Sequence, residues 1–173
     1  MGRDKSRLRL GDRTLLAHVR AAAQSLDPRV RVLRVDVVPR CGPLGGVVTA
    51  LVSTRADAVL FLSCDMPFVT PKTLRRLIAK AGRSAEAVFV ESKGTVGFPF
   101  LIRRSAYPSV RKQLALRDLT LQGLARSLKS ERLRQPAKSW EHFNINTVED
   151  LQRARGFWLR KIRRANGSSG AKV

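Results

Sequence analysis

One carboxylate, Asp65, closes the apolar run Ala58-Val59-Leu60-Phe61-Leu62, with Ser63-Cys64 between them and Met66-Pro67 after. Such a run reads as a strand buried on both faces, as in parallel sheets, and Pro67 prevents its continuation. In open α/β sheets ligands collect outside the carboxyl ends of the strands, so Asp65 stands where chemistry would be done. A carboxylate held there suits a Mg2+ ion that also holds substrate phosphates. The plain alternative is that Asp65 caps the turn that follows it.

Three further groups of residues could serve the same chemistry. Lys5, in the polar start Met1-Gly2-Arg3-Asp4-Lys5, could neutralise a triphosphate, or could be an ordinary exposed charge. Asp36, at the end of a valine-rich stretch, could accept hydrogen bonds from a base or ribose. Just after it, Gly42-Pro43-Leu44-Gly45-Gly46 lets a nucleotide approach the backbone, and a helix start behind it would offer free N–H groups. This is neither a GxGxxG fingerprint nor a Walker loop, so neither dinucleotide binding nor ATP hydrolysis follows. Asn144 and Asn146 flank Ile145, and in an extended segment alternate residues face one way. Two amides on one side can take a base edge, a pterin or a metal, whereas helix capping would use only one of them. His18 and His142 have no evident partner and are read as structural. No Ser-His-Asp or Cys-His arrangement is visible.

The elements that must position these residues follow from periodicity. Apolar positions Leu15, Leu16, Val19, Ala22, Ala23 and Leu26 predict a helix over 14–26, stopped by Asp27-Pro28. Val30, Val32, Val35 and Val37-Val38 predict a strand ending near Asp36. Pro43 suits the first turn of a helix running to about Ser53, and Thr70-Pro71 opens another that closes near Gly82. Strands are expected at 87–90, 97–102 and, weakly marked, 132–135, with helices at 105–116 and 119–128. Thr147 with Asp150 resembles a capping box for a last helix carrying Leu151, Ala154, Phe157, Trp158 and Ile162. Strands alternating with helices predict an α/β domain over 1–164 with a mostly parallel sheet, and 165–173 reads as a flexible tail.

At 173 residues and 43% hydrophobic content the chain can bury a real core. No apolar run approaches a membrane span, and no signal peptide is visible, which makes the cytoplasm the default. Cys41 and Cys64 lack a CxxC pair, so neither a zinc site nor a disulfide framework is indicated. The net charge is +21, yet only 6% of residues are aromatic, and nothing resembles a zinc finger or a stacking RNA-binding strand. Phosphorylated small molecules are favoured over nucleic acid or membrane as partners.

In order along the chain stand MGRDK at 1–5, Asp36, CGPLGG at 41–46, LFLSCDMPF at 60–68, GFP at 97–99 and FNINTVEDL at 143–151. This ordered set resembles the molybdenum cofactor guanylyltransferase family. The resemblance implies a Rossmann-like three-layer nucleotidyltransferase fold, shared with sugar-nucleotide pyrophosphorylases. It implies transfer of GMP from GTP to the terminal phosphate of molybdopterin, with release of pyrophosphate. Carried over by motif, Lys5 and Asp65 are the catalytic residues, and Asp65 holds Mg2+. Lys5, Asp36, Gly42, Pro43, Leu44 and Asp65 bind the nucleotide, and Asn144 and Asn146 lie on the acceptor side. Transient contact with molybdoenzymes or other proteins of cofactor synthesis is implied as well. Asp4-Lys5 and Gly42-Pro43-Leu44 follow the guanylyl rather than the cytidylyl branch, which favours GTP over CTP.

Two departures stand against this match. The family's first strand and its Leu-Ala-Gly-Gly loop have no counterpart, so Met1 is expected to be internal to a longer chain. About 15–20 upstream codons would encode a strand and loop of ordinary length. The stretch between the first helix and Asp36 is also short by a strand-helix unit. Two alternatives stay open: a related nucleotidyltransferase using CTP or another small phosphate acceptor, and an inactive cofactor-binding relative.

Overall fold

The first long helix, α1 (Leu15–Gln24), starts where Thr14 Oγ1 accepts from Ala17 N at 3.1 Å, a side-chain cap for a free N–H. It follows a two-stranded ribbon, β1 (Arg9–Leu10) and β2 (Arg13–Thr14). The computed structural model describes residues 5–82, 84–136 and 138–167. The central sheet contains β3 (Ala58–Phe61), β4 (Ala87–Ser92), β5 (Thr95–Arg103) and β6 (Ser130–Arg134) in the order β3-β5-β4-β6. β4 and β6 pair in parallel, whereas β5 is antiparallel to both β3 and β4. Strands β3, β4 and β6 therefore point one way, as an α/β sheet expects. β5 runs against them because it returns through the two-residue hairpin turn Lys93-Gly94, both at positive φ.

Helices cover both faces. α2 (Gly42–Val52), α4 (Tyr107–Ala115) and α5 (Leu121–Ser127) pack Leu44, Val47, Val110 and Leu124 against Phe89, Phe100 and Ile102. On the opposite face α3 (Pro71–Lys80) packs Leu77 against Val88, Val90 and Leu101, and α1 adds Val19 and Ala22 against Leu74 and Leu60. α6 (Val148–Gly167) closes a separate cluster, burying Leu151 and Ala154 with Leu10, Phe68 and Ile145. The α/β arrangement is the one the pattern implied, and its three layers are those the resemblance implied. The last helix runs further than expected, to Gly167, and the remainder of the expected tail, 168–173, lies outside the described residues.

Two expectations need correction. Residues 30–38 form no strand, and Val35 and Val37 are 80% and 65% exposed. Their β-branched side chains favour extended backbone, but no neighbouring strand offers a ladder. The segment is instead pinned by Arg31, which donates to Ser53 O at 3.0 Å, and by Val37 N, which donates to Thr49 Oγ1 at 2.8 Å. The run at 58–62 is not buried on both faces either. β3 is an edge strand that pairs only with β5 among the described residues, and all four of its residues are half-buried. The strand buried on both faces is β4, where Ala87 to Val90 are each at most 2% exposed. Beside β3 an apolar groove of about 1090 Å³ opens between Leu16, Val19, Leu26, Val30, Leu60 and Leu62.

Candidate active site

Asp65 sits four residues past β3, in the turn that leads to Phe68, and is tied down through its backbone. Its carbonyl accepts from Ile145 N at 2.9 Å. Ile145 is fully buried, while Asn144 and Asn146 on either side of it are exposed. The alternation that put both amides on one side therefore holds, with Ile145 as the anchor. Lys5 comes to the same place: its Nζ donates to Asn146 Oδ1 at 2.8 Å, across 141 residues of sequence. Residues 1–4, including Asp4, lie outside the described residues.

Asp65, Asn144 and Asn146 line a cleft of about 790 Å³ together with Gly97, Phe98 and His142, and Lys5 reaches it through its bond to Asn146. Asp65 Oδ1 is buried and has no hydrogen-bond partner among the described residues. An unpaired buried carboxylate oxygen is costly and calls for a cation or a donor. No group of three His, Cys, Asp or Glu side chains occurs among the described residues, so a protein-only metal cage is not built. The unpaired carboxylate oxygen of Asp65 does fit Mg2+, which keeps several waters and completes its shell with substrate phosphates.

The segment carrying the amides is fastened at both ends. Before it, Glu141 accepts from Thr70 Oγ1 at 2.6 Å and from Thr73 Oγ1, bonding the short helix Trp140–His142 to the first turn of α3. After it, Asp150 Oδ2 accepts from Asn146 N and Thr147 N, both at 3.1 Å, and Asp150 N donates to Thr147 Oγ1 at 3.1 Å. This is the reciprocal cap expected from the sequence. The Asn146 N–H above all holds the Asp150 carboxyl below its ordinary pKa, with Thr147 adding to the effect.

Asp36 and the glycine segment form a second cluster. Asp36 lies against α2 so closely that a Cβ on Gly45 would stand 2.8 Å from Asp36 Oδ2 and 2.9 Å from Val38 O, which makes glycine necessary there. Gly42 takes a positive φ of 51°, and Cys41 gives α2 no side-chain cap, so its first N–H groups are left for another partner. Pro43 is exposed, whereas Leu44 is fully buried in the core and could meet a ligand only through its backbone. None of residues 36–46 lines the cleft around Asp65.

Two residues at the site were not read as functional from the sequence. His142, read there as structural, lines the cleft, and both of its ring nitrogens are buried without partners among the described residues. Burial holds its imidazole below the ordinary histidine pKa, against a smaller opposing effect of the Glu141 charge. Glu141 was not singled out because its two threonine partners lie 71 and 68 residues away.

With this geometry in view, residues 1–137 match the model of the MobA-like NTP transferase domain. The chain belongs to that family. Among relatives of this MobA-like chain is the molybdenum cofactor guanylyltransferase of Acinetobacter baumannii, 26% identical over 132 residues, covering 75% of this chain and 63% of the relative. A probable molybdenum cofactor guanylyltransferase of Methanothermobacter thermautotrophicus is 46% identical over 66 residues, 36% of this chain and 33% of that one. The MobA-like chain thus spans less than two thirds of these relatives' length. Among solved structures it is similar to molybdopterin-guanine dinucleotide biosynthesis protein A of Archaeoglobus fulgidus, with TM-score 0.67, 20% identity and 92% of each chain covered. It is comparably similar to a 2-C-methyl-D-erythritol 4-phosphate cytidylyltransferase of Thermus thermophilus, with TM-score 0.66, 18% identity, and 89% and 93% covered. At these identities the structural likeness establishes the fold.

Proposed function

We propose that this MobA-like chain transfers GMP from GTP to the terminal phosphate of molybdopterin. The carrying observation is that Asp65, with a buried Oδ1 unpaired among the described residues, lines one cleft with Asn146, to which Lys5 donates. A phosphate oxygen of the acceptor attacks the α-phosphorus of GTP. The new P–O–P linkage forms as the bond to the β-phosphate oxygen breaks, and pyrophosphate leaves. That nucleophile is already ionised near neutral pH, so no general base is needed.

Each residue then has a limited task. Lys5 supplies positive charge to the phosphates, and its bond to Asn146 keeps the ammonium at the cleft. Asp65, with phosphate oxygens of the substrate, would hold Mg2+, which supplies charge neutralisation when bound. Asp36 and the backbone around Gly42, Pro43 and Leu44 would receive the nucleotide at the start of α2. Asn144 and Asn146 would face the acceptor, and delivery of the product implies transient contact with molybdoenzymes. Pro43-Leu44 supports GTP over CTP.

Asp65→Asn tests the reading. The change keeps the shape and the Asp65 O to Ile145 N bond but removes the charge. It should leave the fold intact and lower transfer by several kcal/mol of transition-state stabilisation, roughly a thousandfold or more. Near wild-type turnover at saturating Mg2+ would refute the role of Asp65.

A further inference from the structure

We propose that the cleft around Asp65 holds a phosphate-monoester subsite formed by Lys93 on the β4–β5 hairpin and Lys138 on the opposite segment. This rests on the transfer reading and names the residues that would grip the acceptor's phosphate. Lys93, Lys138 and Arg153 line the cleft together, against Asp65 as its single carboxylate among the described residues, so its walls suit a dianion better than a neutral ligand. Lys93 and Lys138 make no ion pair among the described residues, so both charges are available. Arg153 is held in place, 3.7 Å from Asp150 Oδ1 and with its guanidinium 5.0 Å from the centre of the Phe143 ring.

The hairpin turn gives an independent sign. Lys93 occupies the first central position at a φ of +52°, a place usually filled by Asn, Asp or Gly. A lysine there bears a backbone cost that turn formation does not require. What it adds is a cation at the cleft's lip. His142 lines the same cleft with both ring nitrogens buried and unpartnered among the described residues, and a bound phosphate would offer an acceptor to its N–H.

The chain has only His18 and His142, so its imidazole Cε1–H NMR spectrum holds two signals, assigned with His18→Gln. The full chain is titrated with glycerol 3-phosphate at constant ionic strength. The His142 signal should shift saturably while that of His18, bonded to Leu10 O at 2.8 Å, stays put. Lys93→Ala with Lys138→Ala should weaken this binding at least about tenfold, since two charge-assisted contacts are lost. Both lysines are exposed, so the double variant should keep its circular dichroism and its calorimetric affinity for GTP. Parallel, unsaturable drift of both histidine signals, or unchanged affinity in the double variant, overturns the subsite. Failure of GTP to bind would count against the transfer reading alone, because the phosphate titration needs no nucleotide.

Discussion

At the scale of single residues, the site depends on groups that never touch a substrate. Glu141 is the clearest case. Its carboxylate accepts hydrogen bonds from the hydroxyls of Thr70 and Thr73 at the start of α3, where the helix dipole also favours a negative charge. Thr73 is 3% exposed. Glu141→Ala leaves that hydroxyl short of an acceptor in a site water scarcely reaches, which should cost about 1–3 kcal/mol of stability. It also frees the segment that carries Asn144 and Asn146. The expected result is a higher KM for the acceptor with unchanged GTP affinity, read from urea unfolding and steady-state kinetics on one preparation. A GTP affinity that fell in step with acceptor use would place Glu141 in the nucleotide site instead.

At the scale of elements, the start of α6 fixes the amide segment and does so through a charge. Asp150 has its folded pKa depressed, chiefly by the Asn146 N–H. A depressed carboxylate stabilises the fold fully above its unfolded pKa, and that contribution disappears as pH falls through the folded value. The stability gap between wild type and Asp150→Asn should therefore be constant at neutral pH and shrink from about pH 4 downward. A gap that stayed constant down to about pH 2 would show that the carboxylate charge is not what fastens this cap.

The sheet edge makes a different prediction. β3 exposes half-buried apolar side chains beside the groove at Leu16, Val19 and Leu62. An unpaired apolar edge is a place for association. Nile red should brighten with the native chain, and a neutral dye is required because the net charge of +21 would draw an anionic one indiscriminately. No enhancement would mean that the groove is closed in solution.

At the scale of the whole molecule, what was legible in the sequence was what is encoded locally. Thr70 caps α3 by accepting from Thr73 N at 3.3 Å, and Thr147 with Asp150 caps α6, because both signals lie within a few residues. The alternation at Asn144-Ile145-Asn146 was legible for the same reason. What was hidden was non-local: the edge position of β3, the lack of a pairing partner for residues 30–38, and the reversal of β5. Hydrophobicity alone cannot say whether an apolar run will be flanked on two sides or one, and β3 and β4 show both outcomes. The bond from Lys5 to Asn146, and hence the assembly of the site itself, belongs to this non-local class.

The central claim is nucleotidyl transfer to a phosphorylated pterin, and the most direct measurement of it is product formation. The chain is incubated with Mg2+ and GTP, CTP or UTP labelled at the α-phosphate, each with and without molybdopterin. Labelled dinucleotide and pyrophosphate should appear together with GTP and molybdopterin, and not when either is omitted. Transfer from CTP in preference to GTP, or no transfer from any of the three to molybdopterin, would contradict the account.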